Sequence, residues 1–546
     1  MSSTYDYVIV GGGSAGCVLA NRLSADSKRR VLLIEAGPRD LSPYIHFPVG
    51  LMKLDGMHWG YEDEPDPSRF GQTMTWMAGK VLGGGSSVNG MVWVRGNPVD
   101  FDTWESMGCP GWGWDDVLPY FKKAEKFEGG ETEFRGGDGP QHVGYQRSPH
   151  KLTDAFIEAA QAAGLKFNPD YNAAEQEGVA VCQTAQRRGF RHSEARAYLG
   201  PTKLRRNLRV VTDAFVTTVD FEGTRAVGVT YEHKGETVKV RAAREVIISA
   251  GALATPKVLM VSGVGPAEHL GEHGVDVVAD VPGVGHNLQE HPIATMIWNT
   301  NESTFNMELT AKGMLRHGLD FVIRGKGAAA STAGHAVVFT HVSDDAEWPE
   351  VEMLFAPFGM VGAGAGDTDA EVLESAGEHD VTQMEMLRRP SVTLIVQNIH
   401  PRSRGRIELR SSDPHDKPVI RHTLLGDPKD IEILTAATRL ARTIMASEPI
   451  KQYVTVEALP GAAVNTDQEW AGFFGFAGWG AQHPVGTCKM GNDDLAVVDE
   501  RLRVRGVQAL RVVDASVMPV LTSGNTNAPT VMIAEKAADM ILEDAR

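Results

Sequence analysis

The sequence predicts a mixed α/β protein: a Rossmann-like nucleotide-binding domain assembled from discontinuous segments, plus a substrate domain with an antiparallel sheet and helices. Three observations lead there. The chain opens on a strand at 7–10, a glycine turn at 11–16, a helix at 17–23 and a second strand at 31–35, which is one βαβ unit. Buried-strand patterns followed by turn residues recur far downstream, at 246–250 and 510–513. The length of 546 residues exceeds the roughly 250–300 at which one core stops growing. The nucleotide-binding domain is therefore expected over 1–150, 204–290 and 484–546, and the substrate domain over 151–203 and 291–483.

The first unit carries a G-x-G-x-x-G turn. Gly11 allows the tight bend, Gly13 lets the backbone approach a pyrophosphate, and Gly16 lets helix and strand pack closely. Ser14 and Ala15 open the helix, whose N-terminus favours phosphate. Glu35, at the end of the next strand, is placed to accept hydrogen bonds from an adenosine ribose and to repel a 2′-phosphate. This unit alone does not separate NAD from FAD. The strand at 246–250 leads into Gly251 and a helix start in which Thr255 is a capping candidate and Pro256 the first helical position. The strand at 510–513 runs into Asp514, and a helix follows Pro529. Between 300 and 400, stretches rich in Gly, Ala and Met suggest short alternating strands; 327–334 and 359–366 read as loops, the second a lid candidate.

Composition narrows the class. Hydrophobic content of 42% and charged content of 23% fit a water-soluble globular protein. The formal charge of −17 is spread along the chain without a basic tract, which argues against nucleic acid. Cys17, Cys109, Cys182 and Cys488 show no paired spacing, and the histidines no ligand spacing, so neither a disulfide framework nor a metal site is expected. The chain reaches an apolar strand at once, is read as starting near Met1 without a signal peptide, and has no run near the ~18 apolar residues of a membrane span. A cytoplasmic location is expected. Peripheral contact with the inner membrane is compatible with it, since delivery of electrons to a quinone needs only an exposed patch.

A second glycine motif, Gly79-Lys80-Val81-Leu82-Gly83-Gly84-Gly85-Ser86-Ser87-Val88-Asn89-Gly90-Met91, offers backbone N–H groups to a pyrophosphate or a flavin edge. This motif, the opening unit, the segment 251–265 (GALATPKVLMVSGVG), the segment 483–491 (HPVGTCKMG) and the segment 524–529 (GNTNAP) closely resemble the glucose-methanol-choline (GMC) family of FAD-dependent oxidoreductases, from near residue 5 to near residue 540. The resemblance implies FAD as cofactor and oxidation of a primary alcohol to an aldehyde by hydride transfer to flavin N5. It places cofactor contacts at Gly11, Gly13, Ser14, Ala15, Gly16, Glu35, Ala36, Val81, Gly83, Gly84, Ser86, Asn89, Gly90, Met91, Val92, Val216, Ala250, Gly251, Asp514, Ala515, Asn525 and Thr526. Some family members attach FAD through a histidine where this chain has Val88, so the flavin is expected to be non-covalent. The acceptor is a quinone, another carrier or O₂. An O₂-using oxidase is the near alternative; a flavin lyase, a decarboxylase or a non-enzymatic flavin-binding protein is the more distant one.

Alcohol oxidation needs a group that takes the hydroxyl proton while the C–H bond points at the hydride acceptor. His483 resembles the family's catalytic histidine, and Asn527 is expected to hold the same oxygen at the head of the last helix, whose N-terminus would face the flavin pyrimidine. Choline-oxidising relatives carry a carboxylate where this chain has Ile293, and a second histidine where it has Leu354. Both departures argue against choline. The aromatic run 473–479, just before His483, is a candidate lining for an apolar or aromatic alcohol, with core packing the competing reading.

Overall fold

The computed structural model describes residues 3–54, 56–308, 310–362, 368–377 and 384–546. The continuous apolar runs form a parallel sheet buried on both faces, as such runs require. Its central strand Ser3–Val10 pairs in parallel with Val31–Ile34 on one side and with Glu236–Ile248 on the other. Leu208–Val211 extends the sheet beyond Val31–Ile34, and Leu510–Val512 pairs with Val246–Ile248. The strand Glu236–Ile248 does double duty, since its first half pairs antiparallel with Arg225–His233, which pairs in turn with Ala214–Glu222. Elements from both ends and the middle of the chain thus share one seven-stranded sheet. The helices Ser14–Leu23 and Asn527–Asp544 pack on it side by side, joined by Arg22 to the fully buried Glu535 at 2.6 Å.

A second seven-stranded sheet, in the order Val454–Leu459, Pro292–Thr300, Ser391–Asn398, Val351–Ala356, Ala336–Thr340, Gly178–Val181, is antiparallel, with Trp479–Gly480 added beside Pro292 and Ile293. One face packs Met296, Met353, Leu394 and their neighbours against the helices Lys151–Ala162 and Pro428–Met445 in a core of its own. The opposite face carries Ile293, Gln397 and Glu352 in one cross-strand row, and Thr295, Ile395, Leu354 and Val337 in the next. The alternation of a strand makes both faces from one sequence. The hairpin of Gly405–Glu408 and Val419–His422 lies within 291–483, yet Ile407 and Ile420 pack into the first core. The suggested lid at 359–366 includes residues 363–367, which lie outside the described residues.

Segments near the second glycine motif are stitched by a buried charge cluster. Glu125 takes Arg135 Nε at 2.8 Å and Arg95 Nη2 at 3.1 Å, all three side chains fully buried, and Asp170 takes Arg135 Nη1 at 2.6 Å. Burial alone would raise the Glu125 carboxyl, but Arg95 and Arg135 outweigh it and hold it below its ordinary value. Such a depressed carboxylate contributes stability above the ordinary value near 4.5 and loses it as the pH falls through the folded value. Glu125→Ala leaves two guanidiniums buried without their common partner and is expected to cost about 3–5 kcal/mol in urea denaturation. A loss under about 1 kcal/mol would mean that Asp170 and nearby carbonyls suffice.

Candidate active site

The first sheet opens at its carboxyl end into a cleft lined by Gly11, Gly13, Ser14, Ala15, Glu35, Ala36, Gly84, Val216, Ala250, Gly251, Asp514 and Ala515. Gly11 has φ +99°, and a Cβ there would lie 2.3 Å from the Ser249 carbonyl; a Cβ on Gly16 would lie 1.9 Å from the Gly11 carbonyl. These two glycines are steric necessities of the turn. Gly13, Gly85 and Gly251 differ: a Cβ on Gly13 meets its first neighbour at 3.9 Å, and on the other two nothing lies within 4 Å, so these backbones border open space. Glu35 accepts the Gly12 and Gly37 N–H groups at 2.7 Å each and, pushed up by burial to about 7, keeps its remaining lone pairs on the cleft. Asp514 accepts from Gly251 N, Thr255 Oγ1 and Ser516, fixing the 249–255 turn. Thr255 therefore does not cap its helix: its hydroxyl is committed to Asp514 at 2.6 Å. Sequence reasoning passed over the aromatic wall of Trp59 and Phe215, 6.2 Å apart, and Lys257, all of which line the same cleft.

The second glycine motif presses on the first, since a Cβ on Gly84 would sit 2.7 Å from Gly13 Cα. Within it, the expected contacts divide. Gly83, at φ +95°, makes the bend; Ser86 spends its hydroxyl proton on the Gly83 carbonyl at 2.6 Å; and Val81 packs with Val88, Ile45 and Leu54 in an apolar cluster away from the cleft lining. Asn89 accepts from the fully buried Arg191 at 2.7 Å, Met91 adopts φ +66°, Gly90 abuts Ala333, and Val92 packs on Leu354. Arg191 and Glu194 were not expected from the sequence. The segment 190–198 carries three charged residues, of which Arg191 and Glu194 are buried and Arg196 is exposed.

His483 lies where the two sheets meet. Its Nε2 is 2.9 Å from Asn525 Nδ2, its Nδ1 is 3.0 Å from His291 Nδ1, and its backbone N–H donates to Glu290 at 2.9 Å. Desolvation lowers the imidazole to about 4, so it is neutral at neutral pH. The same cause lowers His291 well below its ordinary value, with His483 adding to the effect, and burial pushes Glu290 up to about 8. If Asn525 donates to Nε2, then His483 carries its proton on Nδ1 and gives it to His291, which leaves Nε2 as the accepting nitrogen.

The expected pairing of His483 with Asn527 is not the one observed. Asn527 is the first residue of the helix Asn527–Asp544, and its amide donates to Glu194 Oε1 at 2.9 Å while its oxygen accepts from Ser14 Oγ at 2.9 Å. Both halves of that amide are engaged at the phosphate end of the cleft, whereas Asn525, two residues earlier in the loop, faces the imidazole. Thr526 sits between them as the residue before the helix. Among the described residues, Asn525 Oδ1, Glu194 Oε2 and Glu352 Oε1 are buried without a protein partner. The aromatic run also departs from its suggested role. Phe473 and Phe474 lie on the helix Asp467–Ala477 and pack with Trp470 in the second core, so only Trp479 turns toward Thr295, at 3.3 Å. Ile293 and Leu354 lie on the sheet face opposite the second core; Leu354 clusters with Val92 and Val94, and Val94 abuts Gly524, the neighbour of Asn525. Away from the cleft, His269, Glu272 and His273 form the one metal-competent grouping found among the described residues, an arrangement the sequence expectation overlooked.

A helix N-terminus over open glycine backbones, an acidic ribose position and orphaned amide and carboxyl atoms fit a flavin dinucleotide, and with the buried imidazole they define a nucleotide-dependent oxidoreductase. The chain belongs to the GMC oxidoreductase family, whose N-terminal model matches residues 5–293 and whose C-terminal model matches 401–534. It is accordingly an FAD-dependent flavoprotein. It is 40% identical to an alcohol dehydrogenase [acceptor] of Pseudomonas putida over 98% of this chain and 96% of that one. It is 39% identical to an oxygen-dependent choline dehydrogenase of Brucella canis, over 98% and 95%. The crystal structure of pyridoxine 4-oxidase from Mesorbium loti superposes with a TM-score of 0.85 at 29% identity, covering 98% of each chain.

The two asparagines are separable by substitution. Asn525→Ala is expected to keep its flavin and slow anaerobic flavin reduction about 10²-fold, as loss of a hydrogen bond to a developing charge does. Asn527→Ala is expected to lower flavin occupancy and thermal stability first. Equal flavin loss in both variants, with no separate effect on rate, would remove the distinction.

Proposed function

We propose that this chain oxidises an apolar primary alcohol to its aldehyde, His483 taking the hydroxyl proton at Nε2 and Asn525 holding the same oxygen. The observation that carries the reading is their 2.9 Å contact in a desolvated site beside the nucleotide cleft. FAD, when bound, supplies the two-electron acceptor for the hydride. His291 holds the other ring nitrogen of His483, which fixes the tautomer, and Glu290 holds its backbone. The Asn525 amide is small enough to turn from imidazole to alkoxide-like oxygen as substrate enters. At the head of the last helix the dipole favours negative charge nearby, which supports orientation of the flavin pyrimidine toward it. The two relatives, an alcohol dehydrogenase and a choline dehydrogenase, support a hydroxyl substrate.

Ile293 and Leu354 on the sheet face, with Val92 and Val94 against it, favour an aliphatic body over a quaternary ammonium. With Phe473 and Phe474 in the core, the aromatic run no longer argues for an aryl group. Val88 offers no nucleophile, which supports non-covalent flavin. The four cysteines are free and buried, which suits a reducing cytoplasm. The dehydrogenase reading, with a quinone or other carrier as acceptor, draws on the Pseudomonas relative's name; the oxidase reading remains its direct competitor, and flavin reoxidation by air against an artificial quinone separates them. The two cores support a nucleotide domain built on 1–150, 204–290 and 484–546 and a substrate domain built on 151–203 and 291–483, except that Ala195–Leu199 and the hairpin 405–422 pack with the first core.

Anaerobic mixing with a panel of alcohols tests the reading. Medium-chain primary alcohols are expected to bleach the flavin and choline is not; bleaching by none of them would sink it. His483→Ala should keep flavin and lose about 10²–10⁴-fold in reduction rate. Because a base must be unprotonated and burial lowers His483 to about 4, the reduction rate is expected to stay level from pH 8 to pH 6 and fall only in more acid solution. A midpoint at or above the ordinary 6.5 would place the titrating group elsewhere. Acid precipitation should release the flavin into the supernatant.

A further inference from the structure

The helix Ala311–Arg324 is amphipathic with its stripes reversed relative to the protein. Leu315, Leu319, Val322 and Ile323 follow the i, i+4, i+7, i+8 spacing that marks one face of a helix. They are 67%, 54%, 79% and 76% exposed. The side that packs on the protein carries His317 and Phe321, which at about 100° per residue lie roughly opposite that stripe. An apolar stripe in water costs free energy that a monomer in bulk solvent does not recover, so it marks a surface for contact.

The stripe does not stand alone. Phe321 on the buried side meets Phe190 at 4.6 Å and Phe47 at 5.1 Å, which brings the segment 41–49 alongside the helix. That segment exposes Leu41, Tyr44 and Val49. The surface is also basic in a chain whose net charge is −17. Arg316, Lys326, Arg188 and Lys53 are exposed on it, Arg188 through its backbone abutting Gly325 and Lys53 with its Nζ 5.9 Å from the Tyr44 ring; Asp320 is offset by Arg324 at 3.5 Å. Apolar residues at the centre with cations at the rim match an anionic lipid surface, in which the stripe enters the acyl boundary while the cations meet headgroups. A second copy of this surface would bring like charges together.

We propose that the helix Ala311–Arg324 and the segment 41–49 dock the enzyme peripherally on a bilayer containing anionic lipid. The helix runs directly into the turn 325–334, where Ala333 touches Gly90 of the second glycine motif and Gly334 approaches Leu354 of the sheet face. Docking there sets the approach to the site beside the lipid, where apolar alcohols and quinones partition. The docking itself does not depend on which substrate is oxidised.

Cosedimentation of the flavin-loaded protein with vesicles tests it, using phosphatidylcholine alone and phosphatidylcholine with one quarter phosphatidylglycerol. Wild type is expected on the mixed vesicles and at least about tenfold less on the neutral ones, with binding weakened by added salt. Leu319→Asp/Ile323→Asp is expected to lose at least about tenfold, and Arg316→Glu/Lys326→Glu to lose the preference for phosphatidylglycerol. Leu495→Asp, an exposed site in another region, should bind as wild type. Should the Asp pair fail to load flavin, Val322→Ser carries the same test with a smaller decrease. No sedimentation of wild type with the mixed vesicles, or undiminished binding by the stripe variants, overturns the proposal. So does a wild-type dimer that the stripe variants dissociate in the absence of vesicle binding, since a second copy would then cover the helix.

Discussion

Two glycine turns lie backbone to backbone, Gly84 so close to Gly13 that a Cβ would sit 2.7 Å from its Cα, and the remaining architecture is arranged around that contact. It removes side chains from both walls of the nucleotide cleft at once, leaving peptide N–H groups as the polar surface for phosphate. It also fixes where the chain goes next. From Gly84 the backbone passes through Asn89, Gly90 and Met91 to Val92 and Val94, which pack on the second sheet. The contact that clears side chains from the cleft therefore also fixes where the chain reaches the second sheet.

Where titratable groups are buried in the interior, desolvation sorts them by charge. Glu290, Glu352 and Glu194 are pushed up, while His291 and His483 are pushed down, so each tends toward its neutral form. A neutral imidazole in such a site is a competent base without a carboxylate beside it. Ion pairs on buried carboxylates serve as structural ties: Arg22 on Glu535 joins the two ends of the chain, and Glu125 draws Arg95 and Arg135 together.

The opening βαβ unit was legible because sterics dictate it: only glycine fits at 11 and 16, and only an apolar run can fill a strand buried on both faces. The antiparallel sheet was legible in kind but not in register, since its strands are buried on both faces and isolated polar positions such as Glu352 and Gln397 are too few to set an alternation. The choice between Asn525 and Asn527 was not legible. Both are amides in one loop-to-helix junction, and their different partners, His483 and Glu194, are set by the turn that starts the helix. The run 473–479 left cavity lining and core packing both open for a related reason: proximity in sequence to His483 does not fix direction, and the helix at 467–477 turns Phe473 and Phe474 into the second core.

Asn525 is held by a loop that is determined from several sides. Ser523 gives its N–H and hydroxyl to Asp100 at 2.7 Å each, receives His400 Nε2 at 3.0 Å, and its carbonyl accepts from Gln176 at 2.6 Å. Gly524 is squeezed between Val94 and Glu352, with no room for a side chain. Asp100 is also the acidic partner in the capping box of the helix Pro98–Ser106, where it accepts the Asn97 N–H at 2.8 Å. One carboxylate thus starts a helix and anchors the loop that presents the amide, so the order of that helix is transmitted to the position of Asn525 through two hydrogen bonds. Catalysis that depends on tenths of an ångström needs this kind of over-determination, because a loop held at one point would spread the amide over more space than a hydrogen bond tolerates.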